Sequence, residues 1–233
     1  MTSAHLLDLP FLAYPEALAL MRGLAQARRR ERVGEVLILL EHPPVITLGR
    51  RAGPGELLLP REDLARRGVE VHQVDRGGLA TCHGPGQLVL YPVVSLPGLG
   101  LGVVEFVRVL EEAVIRCLAR LGLEAVRREG YPGVWVEGKK VASLGLSVRR
   151  GVTNHGLSLN NGVDLGLFDL INPCGLGQGS ITSLARLLGR PVEDRRLRRL
   201  LWEELADLLE LELRPWDLAR AWEVVEKHGQ ADT

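Results

Sequence analysis

Lysine is nearly missing from this sequence, although basic residues are common. Of 29 Lys and Arg residues only three are lysine, Lys139, Lys140 and Lys227, and two of them are adjacent. Arginine keeps its proton near neutral pH, whereas a lysine removed from water can release it. A chain that otherwise uses arginine therefore has lysine where a base would be useful. A solvated Gly-Lys-Lys turn fits these residues equally well.

Cysteine is scarce as well, with Cys82, Cys117 and Cys174 as the complete set. An odd count without metal-ligand spacing argues against a disulfide framework and against a metal site. Reduced thiols indicate a reducing compartment. Asp8 and Pro10 interrupt the N-terminal stretch where a secretory signal would be continuously apolar. We therefore expect a cytoplasmic protein.

Excess charge of either sign is also missing, since 29 basic residues balance 29 acidic ones. Without a basic stripe or tail, we expect no nucleic-acid partner and no membrane-surface partner. Residues 77–104 contain no charged residue, which is long enough for a membrane span. Their seven glycines and three prolines argue against such a helix, because its backbone must satisfy its own hydrogen bonds in lipid.

The apolar periodicity predicts one mixed domain over residues 1–233. Strands are predicted at 4–9, 35–41, 45–49, 69–74, 133–136 and 141–148, and helices at 14–30, 60–67 and 103–121. A further strand, a Gly-Pro-Gly turn and another strand through Tyr91 are predicted after Gly78, with a plain hairpin as the alternative. Residues 181–228 are predicted to form a helical segment packed on the domain. Cys117 lies on the apolar stripe of the third helix and is expected to be buried.

The residues from Asn172 to Gly179 form a loop rich in proline and glycine that carries Cys174. A thiol is a good nucleophile only as a thiolate, and with a reference pKa of about 8.5 it needs a base or a helix N-terminus nearby. This loop contains no base. The best candidate elsewhere in the chain is the segment Gly138–Gly145 with its adjacent pair Lys139 and Lys140.

Two further segments with few or no charged residues, 76–87 and 151–163, adjoin the predicted strands. Residues 76–87 place glycines at both bends, which lets backbone N-H groups approach a ligand closely. Residues 151–163 contain His155, which is either a second base or, more commonly for such a residue, a histidine hydrogen-bonded at a strand end. His42 and His72 are expected to be structural or solvated.

Four motifs together resemble the lipoyl(octanoyl) transferase family. They are Arg76-Gly77-Gly78 through His83-Gly84-Pro85-Gly86-Gln87, then Lys140-Val141-Ala142-Ser143-Leu144-Gly145, His155-Gly156-Leu157-Ser158-Leu159-Asn160 and Asn172-Pro173-Cys174-Gly175. The resemblance covers residues 76–183, and the N-terminal half is similar in layout. It implies the α+β fold of the biotin and lipoate protein ligases: a single domain with a larger and a smaller mixed sheet flanked by helices.

The resemblance also implies the site residues. The acyl-accepting cysteine of the family matches Cys174, and its activating lysine matches Lys140. The substrate-binding segments match Arg76, Gly77, Gly78, Leu79, Ala80, Thr81, Cys82 and His83, then Ser143, Leu144 and Gly145, and then Gly156, Leu157 and Ser158. Cys82 is a departure, because the family usually has tyrosine there, so a second thiol is expected beside the site.

The implied reaction moves octanoyl or lipoyl from acyl carrier protein to the lipoyl-domain lysine of 2-oxoacid dehydrogenases and of the glycine cleavage H protein. It requires no cofactor and no ATP, because a carrier thioester is already activated. An ATP-dependent lipoate or octanoate ligase of the same fold is one alternative. A non-catalytic protein that docks acyl carriers is another.

Overall fold

The computed structural model describes residues 2–172 and 179–228 of the chain. Ten strands are defined: β1 (Thr2–Asp8), β2 (Glu35–Leu40), β3 (Val45–Leu48), β4 (Glu70–Gln73), β5 (Ala80–His83), β6 (Gln87–Val93), β7 (Gly133–Val136), β8 (Lys139–Arg149), β9 (Val152–Asn160) and β10 (Leu211–Pro215). The α-helices are α1 (Tyr14–Arg29), α2 (Arg61–Arg66), α3 (Val103–Ala119), α4 (Leu184–Leu188), α5 (Asp194–Leu208) and α6 (Leu218–His228). Short 3-10 turns lie at Pro97–Leu99 and Leu165–Leu170.

The strands form a seven-stranded sheet in the order β10-β1-β2-β6-β9-β8-β7 and a three-stranded sheet in the order β4-β3-β5. In the larger sheet β1 runs parallel to β2 and β10, and the other neighbours are antiparallel. In the smaller sheet β3 is parallel to β4 and antiparallel to β5. The predicted α+β class with a larger and a smaller mixed sheet is confirmed.

The larger sheet is covered by helices on both faces. Because side chains alternate along a strand, Leu37 and Leu39 of β2 face one way while Ile38 and Leu40 face the other. The first pair packs with α3 and α5, and the second with α1 and α6. A third apolar cluster lies under the smaller sheet. Near-continuous apolar strands such as β2 are expected where both faces are buried.

Two observations differ from the sequence-based expectations. Residues 211–215, inside the segment predicted to be helical, form β10, which pairs with β1 at the sheet edge. Its three-residue alternation is too short to predict a strand, and its pairing with β1 and the burial of Leu211 in the core depend on the folded protein. The hairpin alternative for the Gly-Pro-Gly turn is wrong, because β5 and β6 belong to different sheets.

Most other elements are confirmed. The predicted helices at 14–30, 60–67 and 103–121 correspond to α1, α2 and α3. Cys117 is fully buried, and burial raises the pKa of its thiol to about 12. None of the described helices is long and apolar enough to cross a bilayer.

Candidate active site

A cavity of about 650 Å³ lies where the two sheets meet. The smaller sheet supplies residues of β5, and the larger sheet supplies residues of β8 and β9. The side walls come from Tyr14 at the start of α1, from Val103 and Val107 of α3, and from the loop 130–132. The volume is typical of a small-molecule site.

All but one of the predicted substrate-binding residues line this cavity, together with Lys140. They are Arg76, Gly77, Gly78, Leu79, Ala80, Thr81, His83, Ser143, Leu144, Gly145, Gly156, Leu157 and Ser158. The first segment ends 60 residues before the second begins, and the second ends 11 residues before the third begins; sheet pairing joins the second to the third. Leu144 and Gly145 of β8 pair with Leu157 and Gly156 of β9.

Two glycines of this wall make close contacts, and at Gly156 no other residue fits. A Cβ atom at Gly156 would lie 2.0 Å from the carbonyl oxygen of Leu90, so no larger residue fits. A Cβ atom at Gly145 would lie 3.2 Å from Cδ of Arg76. The missing side chains let β9 lie against β6 and let the loop before β5 approach β8.

Arg76 anchors the loop before β5 through hydrogen bonds to β3 and to Gly77. Its Nε donates to Oγ1 of Thr47 at 3.1 Å, and its Nη2 donates to the Thr47 carbonyl at 2.6 Å. Its Nη1 donates to the Gly77 carbonyl at 2.9 Å. The Gly77 N-H in turn donates to the carbonyl of Leu146 in β8 at 2.8 Å. The loop therefore joins the smaller sheet to the larger one.

Lys140 is a buried side chain with 4% of its surface exposed. Its Nζ donates to the carbonyl oxygen of Pro132 at 2.9 Å and lies 5.2 Å from the ring centroid of Trp135. Burial disfavours a charged amine, whereas a carbonyl acceptor and an aromatic face favour it. Lys139, its neighbour, is exposed. The structure therefore distinguishes the two adjacent lysines, which the sequence could not do with certainty.

Cys174 lies outside the described residues, but Asn172 before residues 173–178 and Ser180 after them are both hydrogen-bonded to the rest of the fold. On one side, the N-H of Asn172 donates to the carbonyl of Glu56 at 2.9 Å. On the other side, the N-H of Lys140 donates to the Ser180 carbonyl at 2.8 Å, and the Thr182 N-H donates to the Lys140 carbonyl at 2.9 Å. The segment that follows the cysteine loop is thus paired with the backbone of Lys140 itself.

Two buried histidines lie near Tyr14, and one of them, His83, lines the cavity. Nδ1 of His42 lies 2.8 Å from the Leu12 carbonyl, so this nitrogen donates, and Nε2 accepts from the Tyr91 hydroxyl at 2.9 Å. Nδ1 of His83 similarly donates to Oε1 of Gln87 at 2.6 Å. Burial lowers the pKa of His42 to about 4 and that of His83 to about 3. Both rings are neutral at physiological pH.

Tyr14 lines the cavity and was not predicted from the sequence. Its hydroxyl is buried and has no hydrogen-bond partner among residues 2–172 and 179–228. Burial raises the pKa of this phenol to about 12, so it is a neutral donor. Its ring lies near those of His42 and His83, with centroids 5.3 and 6.4 Å away. The sequence showed only a tyrosine at a helix start, which carries no signal of a site.

His155 also lines the cavity, in β9 opposite Leu146. Its backbone has a left-handed φ of 58°, which is uncommon for a residue other than glycine. Nε2 lies 3.1 Å from Oδ1 of Asp75, and that contact holds the pKa of the aspartate well below its usual value. Burial lowers the pKa of His155. The histidine is therefore hydrogen-bonded to a carboxylate, as one alternative predicted, but it lies inside β9 and not at a strand end.

Cys82 is the one predicted substrate-binding residue that does not line the cavity. Strand alternation turns its side chain into the apolar cluster beneath the smaller sheet, where Sγ donates to the carbonyl of Leu167 at 3.1 Å. Burial raises the pKa of this thiol far above its usual value. Cys82 therefore does not supply a second reactive thiol to the cavity in this structure.

Among the described residues, no cluster of His, Cys, Asp and Glu has an arrangement that could hold a metal ion. The cavity lining combines apolar residues, neutral polar groups and three cationic side chains, Arg51, Arg76 and Lys140. Such surroundings suit an apolar ligand with a negatively charged reacting centre.

Comparison with known proteins agrees with this geometry. Residues 13–206 match the family described as the lipoyl protein ligase A/B catalytic domain. An octanoyltransferase of Acidobacterium capsulatum is 47% identical over 193 residues, covering 77% of this chain and 78% of the relative. An octanoyltransferase of Chloroflexus aurantiacus is 46% identical over 211 residues, covering 89% of this chain and 95% of the relative.

The fold is also found among solved structures. A bipartite lipoate protein ligase from Thermoplasma acidophilum, studied with its E2 lipoyl domain, superposes with a TM-score of 0.74 at 17% identity. The match covers 97% of this chain and 91% of the ligase chain. The chain therefore belongs to the lipoyl protein ligase A/B catalytic domain family. Its relatives group it with the octanoyltransferases, so it is an acyltransferase of protein lipoylation.

Proposed function

We propose that the chain transfers octanoyl or lipoyl from acyl carrier protein to the lipoyl-domain lysine of 2-oxoacid dehydrogenases and of the glycine cleavage H protein. Cys174 carries the acyl group between the two proteins as a thioester, and Lys140 is its base. The observation that carries the proposal is the single cavity that brings Lys140 together with the three acyl-binding segments.

The first half-reaction loads the enzyme. Lys140 takes the proton of the Cys174 thiol, and the thiolate attacks the carbonyl carbon of the carrier-bound thioester. The tetrahedral adduct collapses, the carbon-sulfur bond to the carrier breaks, and the departing carrier thiolate takes the proton from the Lys140 ammonium. Backbone N-H groups of the glycine-rich wall, such as that of Gly78, are candidates to stabilise the oxyanion.

The second half-reaction unloads it. The lipoyl-domain lysine amine attacks the Cys174 thioester, an amide bond forms, and Cys174 leaves as a thiolate. Lys140 accepts the proton lost by the amine and returns one to the sulfur. An amine that is buried yet held by the Pro132 carbonyl and the Trp135 ring has opposing influences on its charge, which suits a group that both accepts and returns a proton.

The length of the cavity supports an octanoyl chain. Strand β8 spans about 20 Å from Lys140 to Leu146, both of which line it. An extended chain of single bonds advances about 1.2 Å per bond, so an octanoyl group needs about 9 Å. Leu79, Leu144 and Leu157 supply apolar wall between the two ends.

One incubation separates this proposal from its alternatives. The protein is mixed with an octanoyl acyl carrier thioester and an unmodified lipoyl domain, without nucleotide or magnesium, and the lipoyl domain is weighed by mass spectrometry. We expect an octanoyl amide on the lipoyl-domain lysine. Strict dependence on ATP would instead support a lipoate or octanoate ligase, and binding of the carrier without turnover would support a docking protein.

The intermediate has its own test. Brief incubation with the carrier thioester alone should leave an octanoyl group on the enzyme, which peptide mapping should find on Cys174. Cys174→Ala should prevent both the label and the transfer. Label on another residue would contradict the proposed intermediate.

A further inference from the structure

A buried carboxylate lies directly behind the carbonyl group that holds Lys140. Glu111 of α3 is 2% exposed, and its Oε1 accepts a hydrogen bond from the Gly133 N-H at 3.0 Å. The Pro132 carbonyl accepts from Nζ of Lys140 at 2.9 Å. Both groups belong to one peptide unit, the one that joins Pro132 to Gly133.

This peptide is trans, so its N-H and its C=O point in opposite directions. Glu111 therefore holds one end of a rigid plane and Lys140 is bound at the other end. The two hydrogen bonds lie at opposite ends of one peptide plane, so each limits how far the plane can turn. A shift of this plane would move the acceptor of Lys140 directly.

Glu111 is itself held in place from the other side. Its Oε2 accepts from Nη1 of Arg108 at 3.0 Å and from Nε of Arg127 at 3.2 Å. These partners compensate the carboxylate for the loss of water and leave Oε1 for the Gly133 N-H. A helix residue with three such contacts has a fixed rotamer.

The peptide has little freedom of its own. Gly133 has a φ of 138°, and a Cβ atom there would lie 2.9 Å from Cε of Lys140 and 2.6 Å from the Ala142 carbonyl. The Lys140 stem thus lies flat against the glycine. The ring of Trp135 covers the amine nearby, with Nζ 5.2 Å from its centroid.

We propose that Glu111 is a positioning residue for Lys140, and that it acts through the Pro132–Gly133 peptide. This inference rests on the proposed function, in which Lys140 is the base. Glu111 touches neither the cavity nor the reacting atoms. Its contribution is to fix the position and direction of the Pro132 carbonyl, which in turn orients the Lys140 amine.

Two conservative variants separate reach from charge. Glu111→Gln keeps an oxygen at the right distance for the Gly133 N-H, and its amide end faces two arginines that are 54% and 32% exposed and can turn to water. Glu111→Asp keeps the charge but is one methylene too short to reach the Gly133 N-H and the arginines together. The matched controls are Glu112→Gln and Glu112→Asp, because Glu112 also pairs with Arg127 but has no contact with this peptide.

We expect Glu111→Asp to lower kcat of octanoyl transfer by about tenfold or more, less than loss of the base itself, with KM for the carrier thioester unchanged. Glu111→Gln should keep most of the activity, and both Glu112 variants should match the wild type. The pH midpoint of iodoacetamide alkylation at Cys174, located by peptide mapping, should rise in Glu111→Asp and in Lys140→Ala, more in the latter. Thermal melts of all variants report folding separately.

Wild-type kcat and alkylation midpoint in Glu111→Asp, beside a large effect of Lys140→Ala, would overturn the positioning role and leave the proposed function intact. A Glu111→Gln enzyme that is worse than Glu111→Asp would also overturn it, since charge and not reach would then matter. If Lys140→Ala keeps full activity and the wild-type midpoint, the proposed function fails, and this inference fails with it.

Discussion

Replacing Lys140 by alanine tests the base most directly. The amine is 4% exposed, so solvent screens its charge poorly. An opposite charge within about 4–6 Å changes a thiol pKa by about 1–3 units, which corresponds to about 1.4–4 kcal/mol. We therefore expect the alkylation midpoint of Cys174 to rise by about 1–3 pH units in Lys140→Ala. The rate of octanoyl transfer should fall by a factor on the order of 10² to 10⁴.

Arginine at this position should be equally inactive. A guanidinium cannot accept a proton near neutral pH, and the space beside Gly133 is already filled by the lysine stem, since a Cβ atom there would lie 2.9 Å from Cε of Lys140. Lys139→Arg is the matched control, because Lys139 is exposed, and it should be nearly silent. Rates of octanoyl transfer for both variants decide the point, and an active Lys140→Arg enzyme would refute the proton-shuttle role.

Chemical rescue separates proton transfer from simple electrostatics. Lys140→Ala leaves a space that a small alkylamine can enter, and a series of such amines differs in basicity. If Lys140 moves protons, the rescued rate should vary with the basicity of the amine, as general base catalysis requires. Tetramethylammonium, which carries charge but no proton, should not rescue. Equal rescue by tetramethylammonium and methylamine would show that Lys140 contributes only its charge.

Three further outcomes are expected. Cys82→Ala should leave octanoyl transfer largely intact, with the acyl label still on Cys174, because the Cys82 side chain lies off the cavity; loss of transfer without loss of folding would contradict this. Tyr14→Phe should not lower the melting temperature of the ligand-free protein, since it removes a buried hydroxyl without a partner in the described part of the chain; a drop of several degrees would mean that the hydroxyl is satisfied. Burial lowers the pKa of His42 to about 4, below the unfolded value of about 6.5, so the unfolded chain binds more protons between these values. Stability should therefore be full above pH of about 6.5 and fall by on the order of 3 kcal/mol as the pH drops toward 4. Urea unfolding at several pH values should show this slope, His42→Gln should reduce it, and an equal slope in both proteins would contradict the assignment.

The helices and the first strands could be predicted because their periodicity is local. Strands of near-continuous apolar residues, such as β2, also stand out from their surroundings in the sequence. The pairing of β8 with β9 could not be predicted, because two adjacent strands can pair in several registers and only the packed sheet selects one. That register is what brings Gly145 opposite Gly156 and opens the cavity.

Glu111 illustrates why part of the site had no signal in the sequence. It is adjacent to Glu112 in a predicted helix, and two adjacent glutamates predict a solvent-exposed helix face. Its burial depends on Gly133 at the start of β7, which contacts Glu111 only in the folded protein, and on Arg127, sixteen residues further along the chain. Tyr14 was missed for the same reason, because its neighbours in the cavity come from distant strands.

The charges around the cavity follow one arrangement. No Asp or Glu is among its lining residues in the described part of the chain, and the charged side chains there are cationic. Two nearby carboxylates contact the lining from behind: Asp75 contacts the ring of His155, and Glu111 contacts the Pro132–Gly133 peptide. A thiolate and a tetrahedral oxyanion are both negative, so an acid in the wall would oppose each of them. Placed behind a neutral group, the same acid orients the wall without facing the reacting atoms.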